Sequence, residues 1–204
     1  MIIGMDMDGC LVDFVGSALS RIKQLWGLDL DYEDLVTPRI EDIITSRLKS
    51  PVSSEALCSA LFQPGFFISM LPRPGAIDAV STLLYQGHEL VIITKAHLQA
   101  PHIVKEKAEW LAYHLQNVEY QTIVIQSGGN KDLINVDVLV DDDPDNLEHP
   151  TATTICVEHP WNADYRFNKH EQRIPIFSVE DMNVLPNMIS VIKNLQTDYG
   201  ETNG

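Results

Sequence analysis

The chain has 204 residues, 45% of them apolar, with 14 basic side chains against 29 acidic ones for a formal net charge of -15. The length suits one domain with room for a small insertion, and the apolar share excludes a disordered chain. The charge excludes a polyanion binder, so neither nucleic acid nor a membrane is an expected partner. A single nucleotide is a smaller demand, because a bound cation inverts the local field.

The opening MIIGMDMDG carries no basic leader, and no uncharged apolar run approaches the ~20 residues of a membrane helix, so a cytoplasmic location is expected. Cys10, Cys58 and Cys156 are isolated, which argues against a disulfide framework or a thiolate zinc site.

Residues 1–5 form the first apolar run and read as a buried strand ending at Asp6. No second strand follows until residue 89, an interval too long for a simple crossover. Helices are expected within it over residues 15–25, 32–35, 40–48 and 54–62, with Pro38 and Pro51 as breaks. Residues 14–70 therefore read as a small helical cap inserted after the first strand, and Pro72-Arg73-Pro74-Gly75 as the return to the core.

A helix over residues 75–85 follows, with Ile77, Val80, Leu83 and Leu84 on one face and Gly87 behind it. Next come a strand over 89–93, then a helix over 103–115 with Ile103, Lys107, Trp110 and Leu111 on related turns. Strands are expected over 121–125 and 136–140, a weaker one over 154–157, and a last helix over 179–195. Continuous apolar strands alternating with helices predict an α/β fold: a three-layer, Rossmann-like parallel sheet. Its core would be residues 1–13 and 71–204, with the cap at 14–70.

Strand ends in such a sheet are where ligands bind. Asp6 and Asp8 follow the first strand, with Gly9 to relax the turn. One carboxylate can bind a metal and attack phosphorus while the other moves a proton. The competing reading is a pair of turn or helix-capping residues. Asp141, Asp142 and Asp143 follow the strand at 136–140. Adjacent acids are costly without a counterion, and hard oxygen ligands suit magnesium; a solvated acidic loop is the alternative. Thr94 can donate to a phosphoryl oxygen or cap a helix. Lys131, after Gly128-Gly129-Asn130, can neutralise a phosphate or lie on the surface.

Taken together, these residues resemble the haloacid dehalogenase superfamily from residue 1 to about residue 160. Asp6-Met7-Asp8-Gly9-Cys10-Leu11-Val12 matches its first motif, Thr94 the second, Lys131 the third and Asp141-Asp142 the fourth. Asp8 argues for a phosphatase rather than a dehalogenase. A closer resemblance is to the 5'(3')-deoxyribonucleotidase family. It rests on Asp6-Met7-Asp8-Gly9-Cys10-Leu11-Val12-Asp13-Phe14, on Pro64-Gly65-Phe66-Phe67 before Leu71-Pro72-Arg73-Pro74-Gly75-Ala76, and on Val140-Asp141-Asp142 after Lys131. His159-Pro160-Trp161-Asn162 resembles a PWN segment of bacterial and phage members.

The resemblance implies a haloacid dehalogenase-like fold with Asp6 as nucleophile and Asp8 as general acid and base. It implies magnesium on Asp6, the main-chain oxygen of Asp8, and Asp142, with Asp141 beside it as a further candidate metal ligand. It also implies phosphate contacts from Thr94 and Lys131, and a nucleoside pocket lined by Phe14 and Phe66 or Phe67. The second motif departs from better-known members: Lys95 stands where they carry a small hydroxyl residue, and it either contacts phosphate or points away. Packing between cap and sheet is the alternative role for the phenylalanines.

The expected activity is magnesium-dependent hydrolysis of a phosphomonoester, a deoxynucleoside monophosphate, through an aspartyl phosphate. A phosphatase for sugar phosphates or another small metabolite is the alternative within enzymes. A silent scaffold on the same fold is the alternative outside them, and the intact set of Asp6, Asp8, Thr94, Lys131 and Asp142 speaks against it. A receiver-like domain is disfavoured by the inserted cap. Base, sugar and phosphate position are not written in the sequence, nor is the oligomeric state, a homodimer included.

Overall fold

The computed structural model of the chain describes residues 1–35, 40–96, 100–116, 118–163 and 177–201; Pro38 lies outside them. Strands β1 (Ile2–Asp6), β2 (Glu89–Ala96), β3 (Gln121–Gln126), β4 (Val138–Asp141), β5 (Thr153–Val157) and β6 (Phe177–Val179) form one sheet in the order β3-β2-β1-β4-β5-β6. Every pairing is parallel. β1 and β4 are buried almost throughout, as their unbroken apolar runs require when helices cover both faces.

The chain leaves β1 for β2 and β3 on one side, then returns to build β4, β5 and β6 on the other. The crevice beyond the ends of β1 and β4 is therefore a topological switch point, where ligands bind in open α/β sheets. Their register pairs Met5 with Val140 and so brings Asp6 and Asp141 to one level at the sheet's carboxyl edge.

After β1 come helices α1 (Phe14–Trp26), α2 (Ile40–Leu48) and α3 (Ser54–Leu61), with a 3-10 turn at Tyr32–Asp34. The Asp13 carboxylate starts α1 by accepting from the Gly16 amide at 2.9 Å. Ile22, Leu30, Ile44, Leu57 and Leu61 form a small hydrophobic cluster here, separate from the main core. The chain's exit to these helices and its return run side by side, tied by Asp13 N to Leu71 O at 2.9 Å and Arg73 N to Leu11 O at 2.8 Å.

Helices α4 (Ala76–Tyr85), α5 (His102–His114) and α6 (Leu185–Glu201) cover the sheet. Two expectations need correction. β2 runs on through Thr94 to Ala96, so Thr94 is a strand residue rather than one that follows a strand. The last helix begins at Leu185, not at residue 179. Val179 ends the edge strand β6, and the Asp181 carboxylate caps a 3-10 turn, Met182–Val184, through the Asn183 amide. Among the described residues no helix is long and apolar enough to cross a membrane.

Candidate active site

The chain turns sharply after Asp6. Met7 O accepts from Leu11 N and Val12 N at 2.9 and 3.0 Å. Gly9 sits in this turn at φ 80°, and a Cβ there would fall 2.6 Å from Asp142 Oδ2. Only glycine permits both the left-handed backbone and this close approach of the Asp142 carboxylate to the β1 turn.

Asp6 is buried and accepts a hydrogen bond from the Lys131 ammonium, which also donates to Asp141 Oδ2 at 2.6 Å. Burial raises the Asp6 carboxyl above its ordinary range; Lys131 pulls it down, and Asp8 pushes it further up. Burial works against charge on Lys131, but the Asp6 and Asp141 carboxylates overturn that and hold it as an ammonium. Asp141 is fully satisfied: its Oδ1 accepts from Asp143 N and Asn146 Nδ2, each at 3.0 Å. It is a partner of Lys131 rather than a carboxylate turned to a metal, which corrects the expected ligand set.

Asp142 differs. Among the described residues no donor reaches its carboxylate within hydrogen-bond distance; His159 Nε2 stands 4.0 Å away. Burial, then the charges of Asp6 and Asp141, push it well above the ordinary aspartate range. Oxygens of Asp6 and Asp142 and the Cys10 sulfur lie within 4.8 Å of one another. Burial also raises the Cys10 thiol, so it stays protonated and is no ligand for a hard ion. Two facing carboxylates, one of them without a donor, fit a hard divalent cation such as magnesium.

Asp8 and Thr94 share a partner that the sequence reading did not identify as functional. Lys107 Nζ donates to Asp8 Oδ2 at 2.5 Å, to Thr94 Oγ1 at 2.8 Å and to Lys95 O at 2.9 Å. Its one sequence signal is a lysine among the apolar residues of a helix stripe. Lys95 points across the cleft toward Asp143 Oδ2 and Asn146 Oδ1, at 3.3 and 3.2 Å.

A cleft of about 240 Å³ opens here, with Asp6, Asp8, Phe14, Lys95, Asp142 and Trp161 in its walls. Of the three expected aromatics only Phe14 lines it. Phe67 is core, its ring 4.9 Å from Lys107 Nζ, and Phe66 borders another hollow beside Asp13 and Arg21. The cause is a contact from α5: the Gly65 and Phe67 amides are fixed by the Glu106 carboxylate at 2.6 and 3.0 Å, which turns this segment into the core. Trp161 stands in the cleft instead, stacked on His159 with centroids 4.2 Å apart.

His159 joins several parts of the structure. Its Nδ1 meets Tyr32 Oη from the helical layer, and its Nε2 lies 2.9 Å from Arg73 Nη1 and 3.1 Å from Gly9 O. Burial and the Arg73 charge push it down to about 3, against the pull of the Gly9 carbonyl, so it is neutral. Arg73 Nη1 also donates to Gly9 O at 3.0 Å, bracing the turn that follows Asp8.

The family described as "5' nucleotidase, deoxy (Pyrimidine), cytosolic type C protein" matches residues 1–186. Proteins of Staphylococcus aureus and Bordetella bronchiseptica that bear the name "Putative 5'(3')-deoxyribonucleotidase" are similar. The first is 29% identical over 168 residues, 82% of this chain and 88% of the relative. The second is 27% identical over 169 residues, 80% of this chain and 87% of the relative. In fold, the chain is similar to the HAD-hydrolase YfnB of Bacillus subtilis, solved bound to magnesium. The TM-score is 0.54 at 12% identity, over 92% of this chain and 97% of that one.

Proposed function

The chain belongs to the cytosolic type C 5' nucleotidase family, phosphoric monoester hydrolases of HAD-like fold, and from that membership we propose that it hydrolyses deoxynucleoside monophosphates with Asp6 as nucleophile. The observation that carries this reading is the pair Asp6 and Asp8 in one cleft at the switch point, with Lys131 on the first and Lys107 on the second.

In the first step a carboxylate oxygen of Asp6 attacks phosphorus. The P–O bond to the nucleoside breaks with its electron pair, and the departing oxygen takes a proton from Asp8. In the second step Asp8 accepts a proton from water as the water oxygen attacks the aspartyl phosphate. The bond to Asp6 then breaks, releasing orthophosphate and restoring the carboxylate. Lys131 spends two N–H bonds on Asp6 and Asp141 and has a third for a phosphoryl oxygen. Thr94, whose oxygen accepts from Lys107, keeps its own proton for another. Asp6, Asp142 and the main-chain oxygen of Asp8 would hold magnesium, which when bound offsets the charge on the phosphoryl oxygens. Residues 14–70 act as a cap over this cleft, and Phe14 and Trp161 offer flat apolar faces to a base.

The test is phosphate release from deoxynucleoside monophosphates and from deoxyribose 5-phosphate, each with magnesium. Strong preference for the nucleotides is expected. Equal efficiency on the bare sugar phosphate would reduce the reading to a phosphatase for small metabolites, and no release from any of them would remove it.

A further inference from the structure

We infer that Lys107 is a positioning residue for proton transfer: it holds the Asp8 carboxylate in working orientation without touching the substrate. The inference rests on the roles proposed above for Asp6 and Asp8.

Lys107 sits on α5 and is 2% exposed. An ammonium has three N–H donors, and all three are taken, by Asp8 Oδ2, Thr94 Oγ1 and Lys95 O. It has no donor left for a phosphoryl oxygen. The Phe67 ring lies over it, so its alternatives are apolar. A buried cation of this kind persists only with its partners in place. It therefore fixes one oxygen of Asp8 and leaves the other. That other oxygen, Oδ1, is buried and has no hydrogen-bond partner among the described residues. It is the atom on which a proton can be carried to the leaving oxygen.

α5 is itself held. His102 Nε2 meets Phe62 O at 2.9 Å, Glu106 takes the Gly65 and Phe67 amides, and Trp110 Nε1 donates to Met70 O at 2.8 Å. Positions 102, 106 and 110 recur every four residues along one face, so three successive turns are pinned to the segment that leaves the helical layer. Lys107, one residue beyond Glu106, inherits that fixed position.

The test compares leaving groups. A nucleoside alkoxide needs Asp8's proton to depart, whereas p-nitrophenolate does not. Wild type, Lys107→Met, Asp8→Asn and the double variant are mixed rapidly with a deoxynucleoside monophosphate or p-nitrophenyl phosphate, in magnesium. The first-turnover release of nucleoside or p-nitrophenol is followed. For Lys107→Met, nucleoside release should slow by roughly 10²–10⁴-fold, the span of general acid catalysis, with the p-nitrophenol burst nearly unchanged. In the Asp8→Asn background, Lys107→Met should add almost nothing. Equal slowing of both substrates, or a further full loss on top of Asp8→Asn, would overturn the positioning role. Should Lys107→Met not fold, the double variant leaves no carboxylate unpaired and still carries the comparison with Asp8→Asn. A wild type inactive on both substrates would overturn the proposed function itself; an active wild type with an unchanged Lys107→Met variant overturns this inference alone.

Discussion

On the sheet side of the cleft, Asp6, Asp141, Lys131 and Lys107 each meet a partner of opposite charge. On the helical side, Phe14, Phe62, Phe66 and Phe67 pack ring against ring with centroids 5.2 to 6.5 Å apart, a geometry that any of them could share with its neighbour. Buried charge is specific because an unpaired ion is expensive, so each group fixes the identity of the next. Apolar contact is nondirectional and tolerates exchange. The polar side of the cleft and the aromatic cluster that reaches it through Phe14 thus obey different rules, and substitutions should expose that difference.

The largest effect belongs to the sheet side. Asp6→Asn removes the attacking oxygen's charge and should lower turnover by roughly 10⁴-fold or more, the scale of losing a nucleophile. Removing magnesium with a chelator should abolish phosphate release, and adding it back should restore it, since Asp142 has no other donor among the described residues. Near-normal turnover of Asp6→Asn, followed as released phosphate, would dissolve the distinction at its root.

Lys131→Met comes next, read as stability. It leaves two buried carboxylates without their cation, a loss of about 3–5 kcal/mol. The pH dependence gives the sign. In the variant, burial still raises Asp6 and Asp141 above 3.8, and the downward pull of Lys131 is gone. The folded state then keeps protons that the unfolded chain has released, so the variant is most stable below pH 3.8 and weakens as pH rises through the raised values. Urea midpoints for both proteins across pH 4 to 8 measure this; a loss independent of pH would show that packing, not charge, sets the cost.

Legibility followed the same division. Asp6, Asp8, Lys131 and Asp142 lie at short, fixed distances from strand ends, and strands buried on both faces are continuous apolar runs, so both could be read along the chain. Lys107 could not, because its partner Asp8 is 99 residues away and a lysine in an apolar stripe names no partner. Phe66 and Phe67 fit the expected motif, yet Glu106 turns their segment into the core, again through contacts distant in sequence. β6 was missed because it is a strand of three residues, too short to show a period.

The helical side should respond more weakly. If Phe14 is a stacking platform, Phe14→Ala should lower efficiency on a deoxynucleoside monophosphate by about 1–3 kcal/mol and leave deoxyribose 5-phosphate nearly unchanged. Steady-state assays on the two substrates decide it. Parallel loss on both would mean that Phe14 serves the packing around Phe62, Phe66 and Phe67 instead.

The smallest effect is expected where the helical layer does carry a polar tie. Tyr32 reaches from its 3-10 turn to His159, beyond β5, through Oη and Nδ1. Arg73 Nη1 can only donate and Gly9 O can only accept, and both lie within 3.1 Å of His159 Nε2, so the ring's tautomer decides which of them it bonds and whether Nδ1 donates to Tyr32 Oη or accepts from it. The low value of about 3 keeps the ring neutral through the physiological range in either case. Tyr32→Phe deletes the hydroxyl's contacts with His159 and with the Arg73 guanidinium and leaves the imidazole ring held by Arg73 and by its stack on Trp161. The stability loss should be about 0.5–3 kcal/mol, read from the urea midpoint, below that of Lys131→Met. Because His159 also lies 3.1 Å from Gly9 O beside the catalytic turn, activity tells where the tie acts. Unchanged turnover would confine Tyr32 to holding the layers together. A loss matching that of Lys131→Met would mean that the helical side, too, is fixed by its polar partners, and the contrast between the two sides would fail.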